Sequence, residues 1–418
     1  MKKRSLFTAV LLSILLVLSA CSSSNDNNVA NEGSTSSTNT AQSDQQSAQT
    51  ENKDPIIIGF NNAMTGPVGK FGVDSQQGME IRLEEVNSSG GILGREVKAI
   101  YYDDQNDPER TVKNALQLIK QDGAKIIIGP TFSANAKAVQ PIADQNKVII
   151  YSISGAYVPP ADSFVFAGIT YTAKAVHEFQ HQWLVDKGIK KVGLLATDEV
   201  SGDVSVDIIN NLNGKDGISY VIERMGVKDT DATPQLTKLK SEGIEALEIV
   251  GTAIPSSVAV KGATQLGMEI PYLFTNGNLQ SAFASLIKDY VEPKQALFVG
   301  PPIFAYEEMS DANPLKPIAS NLAKKVEDKY KVVPEAGHGF GYDHLSIILK
   351  AIEIAGTDDP VAVKEVLETK LGDFQATNSI VRLTKEDHIG TTTDGAVMLY
   401  LDPADVTFHM EWENEWWK

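Results

Sequence analysis

The chain runs to 418 residues, carries a formal net charge of −17 and contains one cysteine. A lone cysteine excludes an internal disulfide, so the fold must be held by its core. Negative charge spread along the whole chain argues against nucleic acid or anionic lipid as a partner. From residue 55 onward the composition is that of a globular protein, and about 360 residues exceed what one hydrophobic core usually serves, which predicts two lobes.

Met1-Lys2-Lys3-Arg4 is basic and is followed by an apolar run over 6–18, the layout of a secretory signal. The run is too short to span a bilayer, which takes roughly 20 apolar residues. Its end, Leu18-Ser19-Ala20-Cys21, resembles the bacterial lipobox. That resemblance implies removal of residues 1–20 as a lipoprotein signal peptide and a lipid on Cys21 that holds the mature chain at the membrane. Residues 22–54 are almost entirely Ser, Asn, Thr, Gln, Ala and Asp, so burial cannot offset the entropy of ordering them. With Cys21 they are expected to form a flexible tether.

Ile56-Ile57-Ile58-Gly59-Phe60 is a short apolar run that ends in a loop-forming segment, as a buried parallel strand does. A helix is expected over 74–87, stopped by Ser88-Ser89-Gly90-Gly91. A strand at 97–102, a helix at 108–121, a strand at 125–129, a helix at 134–145 and a strand at 148–151 follow. The alternation restarts after 164–166 with helix 173–187, strand 191–196, helix 204–212, strand 220–224, helix 233–241, strand 246–250, helix 256–266 and strand 272–275. This spacing predicts an α/β protein with parallel sheets covered on both faces, and its double occurrence predicts two doubly wound lobes with a cleft between them. Ligands of open parallel sheets settle beyond the carboxyl ends of the strands. That rule singles out the loops at 61–71, 130–135, 152–157, 197–203, 252–256 and 276–278.

His177-Glu178-Phe179-Gln180-His181 has the H-E-x-x-H form that on a helix presents two zinc ligands and a carboxylate base, with Glu199 as a candidate third ligand. The apolar stripe of that helix is Val176, Phe179 and Trp183, which leaves both histidines on its flank. A solvated helix face is therefore expected, and a zinc hydrolase is the remote alternative. Asp103, Asp104 and Asp107 lack the Gly and terminal Glu of a calcium loop, so a cap for the helix from Pro108 is expected there. No nucleophile elbow or dinucleotide fingerprint occurs. The expectation is a binding protein, not an enzyme, with no cofactor and no metal. Gly129-Pro130-Thr131-Phe132-Ser133-Ala134 joins a strand end to a helix start, where free N–H groups and the helix dipole favour an anion. Ser133 either adds a hydroxyl to that site or caps the helix.

Ile58-Gly59, Thr65-Gly66-Pro67, Gly69-Lys70-Phe71-Gly72, the NSSGGILG run of 87–94, Tyr102-Asp103-Asp104, the KIIIGP run ending at Pro130 and Gly341-Tyr342-Asp343 resemble the leucine/isoleucine/valine-binding proteins of ABC importers. The likeness extends over nearly all of 55–356. It implies the type I binding-protein fold, two α/β lobes joined by three hinge crossings. Lobe one is expected from 55–170 plus about 300–357, and lobe two from about 171–299 plus about 358–418. Hinge closure on a small solute, delivery to an ABC permease and its ATPase, and a place outside the cytoplasmic membrane are further implications. The protein is expected to act as a monomer.

Position by position, the resemblance places Phe71 over the ligand, Ser133 and Ala134 at its carboxylate, and Gly155, Ala156 and Tyr157 on the opposing segment. The second lobe contributes Asn276, with Ser201 and Ala253 where the family often has tyrosines. Tyr157 stands where a small hydroxyl residue is usual, and Asn276 where amino-acid binders set an acid against the ligand's ammonium. A buried ammonium without a counter-charge loses on the order of 2–5 kcal/mol. The ligand is therefore either an amino acid whose charge another acid meets, or an aromatic or aliphatic carboxylate or amide without a free ammonium. A ligand sensor that signals to a receptor kinase is the other role open to this fold. Trp412, Trp416 and Trp417 are expected to serve packing.

Overall fold

The computed structural model describes residues 54–66, 68–154, 157–168 and 171–413. The expectations for the signal, Cys21, the tether, Gly155, Ala156, Trp416 and Trp417 lie outside the described residues.

In the first lobe β1 (Ile56–Asn62), α1 (Gly69–Ser88), β2 (Val97–Asp103), α2 (Pro108–Lys120), β3 (Ile126–Ile128), α3 (Ser133–Asn146), β4 (Ile149–Ser152) and β5 (Val165–Ala167) alternate as the apolar runs predict. Their strands form a five-stranded sheet in the order β2-β1-β3-β4-β5, with Ile58 of β1 paired in parallel to Ala99 on one side and Ile126 on the other. Alternate residues serve opposite faces. Ile56, Ile58, Phe60, Ile126, Ile128, Ile149 and Tyr151 enter one core, while Ile57, Ile127 and Ile150 enter the other. Burial on both faces is why these strands read as unbroken apolar runs.

The second lobe repeats the scheme with α4 (Ala173–Asp186), β6 (Lys191–Thr197), α5 (Val200–Leu212), β7 (Ser219–Met225), α6 (Thr233–Ser241), β8 (Ala246–Val250), α7 (Ala253–Gln265), β9 (Tyr272–Phe274), α8 (Ser281–Ile287) and β10 (Ala296–Gly300). The chain then continues through α9 (Lys316–Tyr330), α10 (Ala336–Ala355), α11 (Pro360–Thr369), β11 (Phe374–Gln375), β12 (Ile380–Val381), β13 (Val397–Asp402) and β14 (Thr407–Glu413). The second sheet has the order β14-β13-β10-β9-β8-β6-β7, parallel from β7 to β10 and antiparallel at β13 and β14. Trp412 of β14 packs on Phe179 of α4, ring centroids 5.1 Å apart. Among the described residues the chain passes between the lobes after β5, after β10 and before β13, three crossings in all.

The expectation that residues from 358 onward join the second lobe does not hold. Val363, Val366 and Leu367 of α11, with Ala376, Val381 and Leu383, pack into the core of the first lobe. His388 lies along β5, its Nδ1 2.9 Å from the Val165 carbonyl. The cause is local: Gly356 ends α10 in the left-handed region (φ 66°) and Asp359 caps the next helix, which turns α11 back against α10. Only from Val397 does the chain rejoin the second sheet.

Helix α10 is seated on α1 through glycines. A Cβ on Gly78 would lie 1.8 Å from the His338 carbonyl oxygen, and one on Gly341 would lie 1.7 Å from that of Ser75. Helix α1 also starts earlier than its sequence suggests, because Gly72 lets its first turn rest against the main chain at Ala63, where a Cβ would stand 1.9 Å from the carbonyl oxygen. Among the described residues no helix is long and apolar enough to cross a membrane. Gly341→Ala is expected to destabilise the protein by about 1–3 kcal/mol by forcing the two helices apart, read as a lower urea midpoint at unchanged slope.

Candidate ligand-binding cleft

The wall in the first lobe is built from the ends of β1, β3 and β4. Asn61, buried at the end of β1, donates from Nδ2 to the Thr111 carbonyl at 2.9 Å and accepts from Asn114 at 3.1 Å. Thr111 Oγ1 lies 2.9 Å from Asp104 Oδ2, which also accepts from Asn135 Nδ2 at 3.2 Å. This buried cluster ties β1 to the first turns of α2 and α3, so the three move as one. Asp107 caps α2 by accepting from the Arg110 N–H at 3.0 Å, as the sequence predicts. Asp103 holds the loop after β1 by accepting from the Met64 N–H at 2.9 Å and the Thr65 hydroxyl at 2.5 Å. Burial works to raise its pKa, but hydrogen bonds from Thr65, Met64 and Gln105 outweigh it and hold the carboxyl below its ordinary range.

Ser133 does not cap α3. Phe132 occupies the cap position, and Ser133 Oγ lies 2.7 Å from Ser154 Oγ. The first bond of the helix runs from the Ala136 N–H to the Phe132 carbonyl, which leaves the amides of Ser133, Ala134 and Asn135 outside the helical ladder. Ser152 Oγ donates to the Pro130 carbonyl at 2.7 Å and accepts from the Ser154 N–H at 3.1 Å, lacing β4 to the same turn. Thr131 Oγ1 donates to Asn62 Oδ1 at 2.8 Å, while Asn62 Nδ2 is buried without a partner. Phe71, half-buried in the first turn of α1, sets its ring 5.5 Å from that of Phe340. Tyr157 does not serve the cleft as the resemblance implies: its ring packs beside Ala136, Val139 and Val165 in a core of the first lobe, and its hydroxyl donates to Gln140 Oε1 at 2.6 Å. The helix α3, not the cleft, takes this side chain.

In the second lobe β6, β8 and β9 are neighbours, so their carboxyl-end loops form one surface. Thr197 Oγ1 lies 2.9 Å from Glu199 Oε1 and 3.3 Å from the Val250 carbonyl. Asn278 Nδ2 donates to the Gly251 carbonyl at 3.0 Å. Both helices that follow begin earlier than the sequence suggests, which places Ser201 exposed in the first turn of α5 and Ala253 half-buried as the first residue of α7. Asn276 opens a single 3₁₀ turn, and its Nδ2 donates to the Tyr171 carbonyl at 3.4 Å. Sequence reasoning treated Glu199 only as a metal ligand and missed Ser154, although both follow strand ends.

The H-E-x-x-H histidines are not on a solvated face. Both are buried, because α4 covers the second sheet widely enough to enclose its flank as well as its stripe. His177 Nδ1 lies 2.9 Å from Glu248 Oε2 on β8, whereas His181 meets the Tyr220 hydroxyl at 2.9 Å and Asp216 at 3.2 Å. Glu178 points outward to Lys174. The two imidazoles serve different partners and converge on no common point.

Hydrogen bonds join the walls. Ser281 Oγ, at the start of α8, donates to Glu335 Oε1 at 3.0 Å, and Lys70 Nζ stands 3.5 Å from the same oxygen. Tyr171, in the first crossing, donates its hydroxyl to the Asn378 carbonyl. Beside it Thr377 donates its N–H (2.8 Å) and its hydroxyl (2.7 Å) to the two oxygens of Asp343.

Two buried sheets, one parallel and one parallel except at β13 and β14, with three crossings and polar strand-end loops that meet across the hinge, define a two-lobed ligand-binding protein. A family model described as a periplasmic binding protein matches residues 55–399, and the chain belongs to that family. The leucine-, isoleucine-, valine-, threonine- and alanine-binding protein of Pseudomonas aeruginosa is 24% identical over 326 residues, 75% of this chain and 82% of that one. Leu/Ile/Val-binding protein homolog 3 of Brucella melitensis is 25% identical over 317 residues, 75% and 83% of the two chains. A leucine-binding protein from Thermotoga maritima shares the fold with a TM-score of 0.67 at 22% identity, covering 85% of this chain and 97% of that one. A branched-chain amino acid transporter substrate-binding protein from Streptococcus pneumoniae, crystallised with isoleucine, gives 0.66 at 19% identity, covering 86% and 100%. Membership of the family implies an extracytoplasmic location.

Burial pushes the Asp343 carboxyl up to about 7, against the opposing hydrogen bonds from Thr377. A folded-state value above the unfolded one means that the native protein holds the proton more tightly, so this group favours folding at low pH and the benefit is lost as pH rises from about 4 to about 7. Asp343→Asn should therefore gain on the wild type across that window, by on the order of 4 kcal/mol between its ends, measured by urea unfolding of both proteins at a series of pH values.

Proposed function

We propose that the chain is the substrate-binding lipoprotein of an ABC importer, which captures a small carboxylate-bearing solute, an amino acid or a related acid, between its lobes and delivers it to a permease. The observation that carries this reading is the start of α3. Three main-chain amides outside the helical ladder sit beside the Ser133–Ser154 hydroxyl pair at the end of neighbouring strands. Such a helix start binds a carboxylate through its N–H groups and its dipole. The relatives named above as binding leucine, isoleucine and valine, or as homologs of such proteins, support the solute class. The separate commitments of His177 and His181 favour binding over hydrolysis. The lipobox resemblance at Cys21 supports the anchor.

A screen of amino acids, organic acids and amides by thermal shift tests the solute class. A ligand at 100 times its Kd should add roughly 2.7 kcal/mol of stability. Ser133→Ala should weaken the best ligand about tenfold or more, the worth of one hydrogen bond to a charged group. If no carboxylate-bearing compound shifts the melting temperature, the reading is wrong. For the anchor, Cys21→Ser is expected to abolish recovery of the bacterially expressed protein in the membrane fraction; unchanged membrane recovery without a lipid adduct in the mass spectrum would count against it.

A further inference from the structure

We infer that Glu199 is the counter-charge for a cationic group on the ligand, supplying from the end of β6 the acid that is missing at Asn276 after β9. This rests on the cleft being a ligand site. Glu199 precedes α5 on the wall that β6, β8 and β9 form together, and it is half-buried. Its Oε1 is fixed by the hydroxyls of Thr197 at 2.9 Å and Ser201 at 3.2 Å. Although it occupies the cap position of α5, its side chain bonds no amide of that helix. Gly202 makes the cradle tight, since a Cβ there would lie 2.0 Å from the Thr197 carbonyl oxygen.

The charges nearby are already matched. Asp198 and Asp203 share Arg224 at 2.9 and 2.6 Å, and Glu335 faces Lys70. Among the described residues no Lys, Arg or His pairs with Glu199. Two hydroxyls orient a carboxylate without neutralising it. In an open cleft water solvates it; when the lobes close, an unpaired carboxylate is penalised unless the ligand brings positive charge. The wall thus selects a solute with a cationic nitrogen, while the amides at the start of α3 take its carboxylate from the opposite lobe.

The test uses the full chain, its Glu199→Gln variant and matched pairs that differ only in the amine: leucine with 4-methylpentanoate, phenylalanine with 3-phenylpropanoate, and γ-aminobutyrate with butanoate. The last pair is included because β8 separates β6 from β9. Binding is measured by calorimetry. In the wild type the amine-bearing member of the bound pair should be favoured by about thirtyfold or more. Glu199→Gln should remove that preference, weakening the amine-bearing member and leaving the des-amino partner bound as tightly as before or more tightly, because the variant no longer encloses an unpaired carboxylate. If Glu199 only stabilises the start of α5, the variant melts lower and the preference is unchanged, which overturns the inference. A wild type that prefers the des-amino acids also overturns it and leaves the carboxylate-binding cleft standing. A wild type that binds none of the six overturns the subsite, and the cleft reading falls with it only if the wider screen of carboxylate-bearing compounds also gives no shift in melting temperature.

Discussion

Helices α1 and α10 meet without room for a methyl group at Gly78 and Gly341, and the two-lobed architecture depends on that contact. It fastens the third segment of the chain to the first, so the first lobe is assembled from pieces separated by the whole second lobe. Because β10 and β13 remain in the other sheet, three strands of chain must connect the lobes, and relative motion is confined to a hinge. The same seam positions the site. Phe71 lies in the first turn of α1 and Phe340 in the second turn of α10, and their 5.5 Å ring contact exists because the helix backbones touch. Asp343, one step further along α10, is thereby brought under Thr377 and the hinge tyrosine Tyr171.

The interior holds more ionisable groups than an apolar core needs, and each is arranged to avoid an unmatched charge. Burial drives the His344 imidazole down to about 4, against hydrogen bonds to the Phe340 and Ser152 carbonyls, so it stays neutral at pH 7. Its folded-state value is depressed, so its contribution is present above the unfolded value and lost as pH falls toward 4. Asp343 runs in the opposite direction, and the adjacent pair partly cancels over the acid range. His177 and Glu248 meet inside the second lobe at 2.9 Å, which fixes the rotation of α4 over its sheet.

The strand and helix order up to β9 was legible because strands buried on both faces are continuous apolar runs and because Gly and Pro punctuate them; α6 and β8 fall where periodicity puts them. Helix α10 was not legible. No element is assigned there from the sequence: the GHGFGY start is rich in glycine, which disfavours helix, and it is helical because the close contact with α1 requires glycine, an override of propensity by packing. The placement of α11 turned on one left-handed residue, Gly356. At the site, strand ends announced the start of α3 and the Asn276 turn. The direction of the Tyr157 side chain was hidden, since a loop residue's orientation follows from its neighbours in space, here Gln140. His177 was hidden for the same reason: its partner lies 71 residues away on the sheet.

The walls of the cleft differ electrically, and the difference bears on how a ligand would drive closure. A ligand shifts an open–closed equilibrium only by its differential affinity for the two states, and moving the balance from 1:99 to 99:1 takes a difference of about 10⁴-fold. A solute held by one lobe alone supplies none of it. One that places its anion on the amides of α3 and its cation on Glu199 is fully paired only when both lobes are in reach. Contacts across the hinge such as Ser281 to Glu335 and Tyr171 to Asn378 are single hydrogen bonds, each with a net worth of about 0.5–3 kcal/mol. Each is smaller than a ligand preference of that size, so none of them alone decides the balance between open and closed.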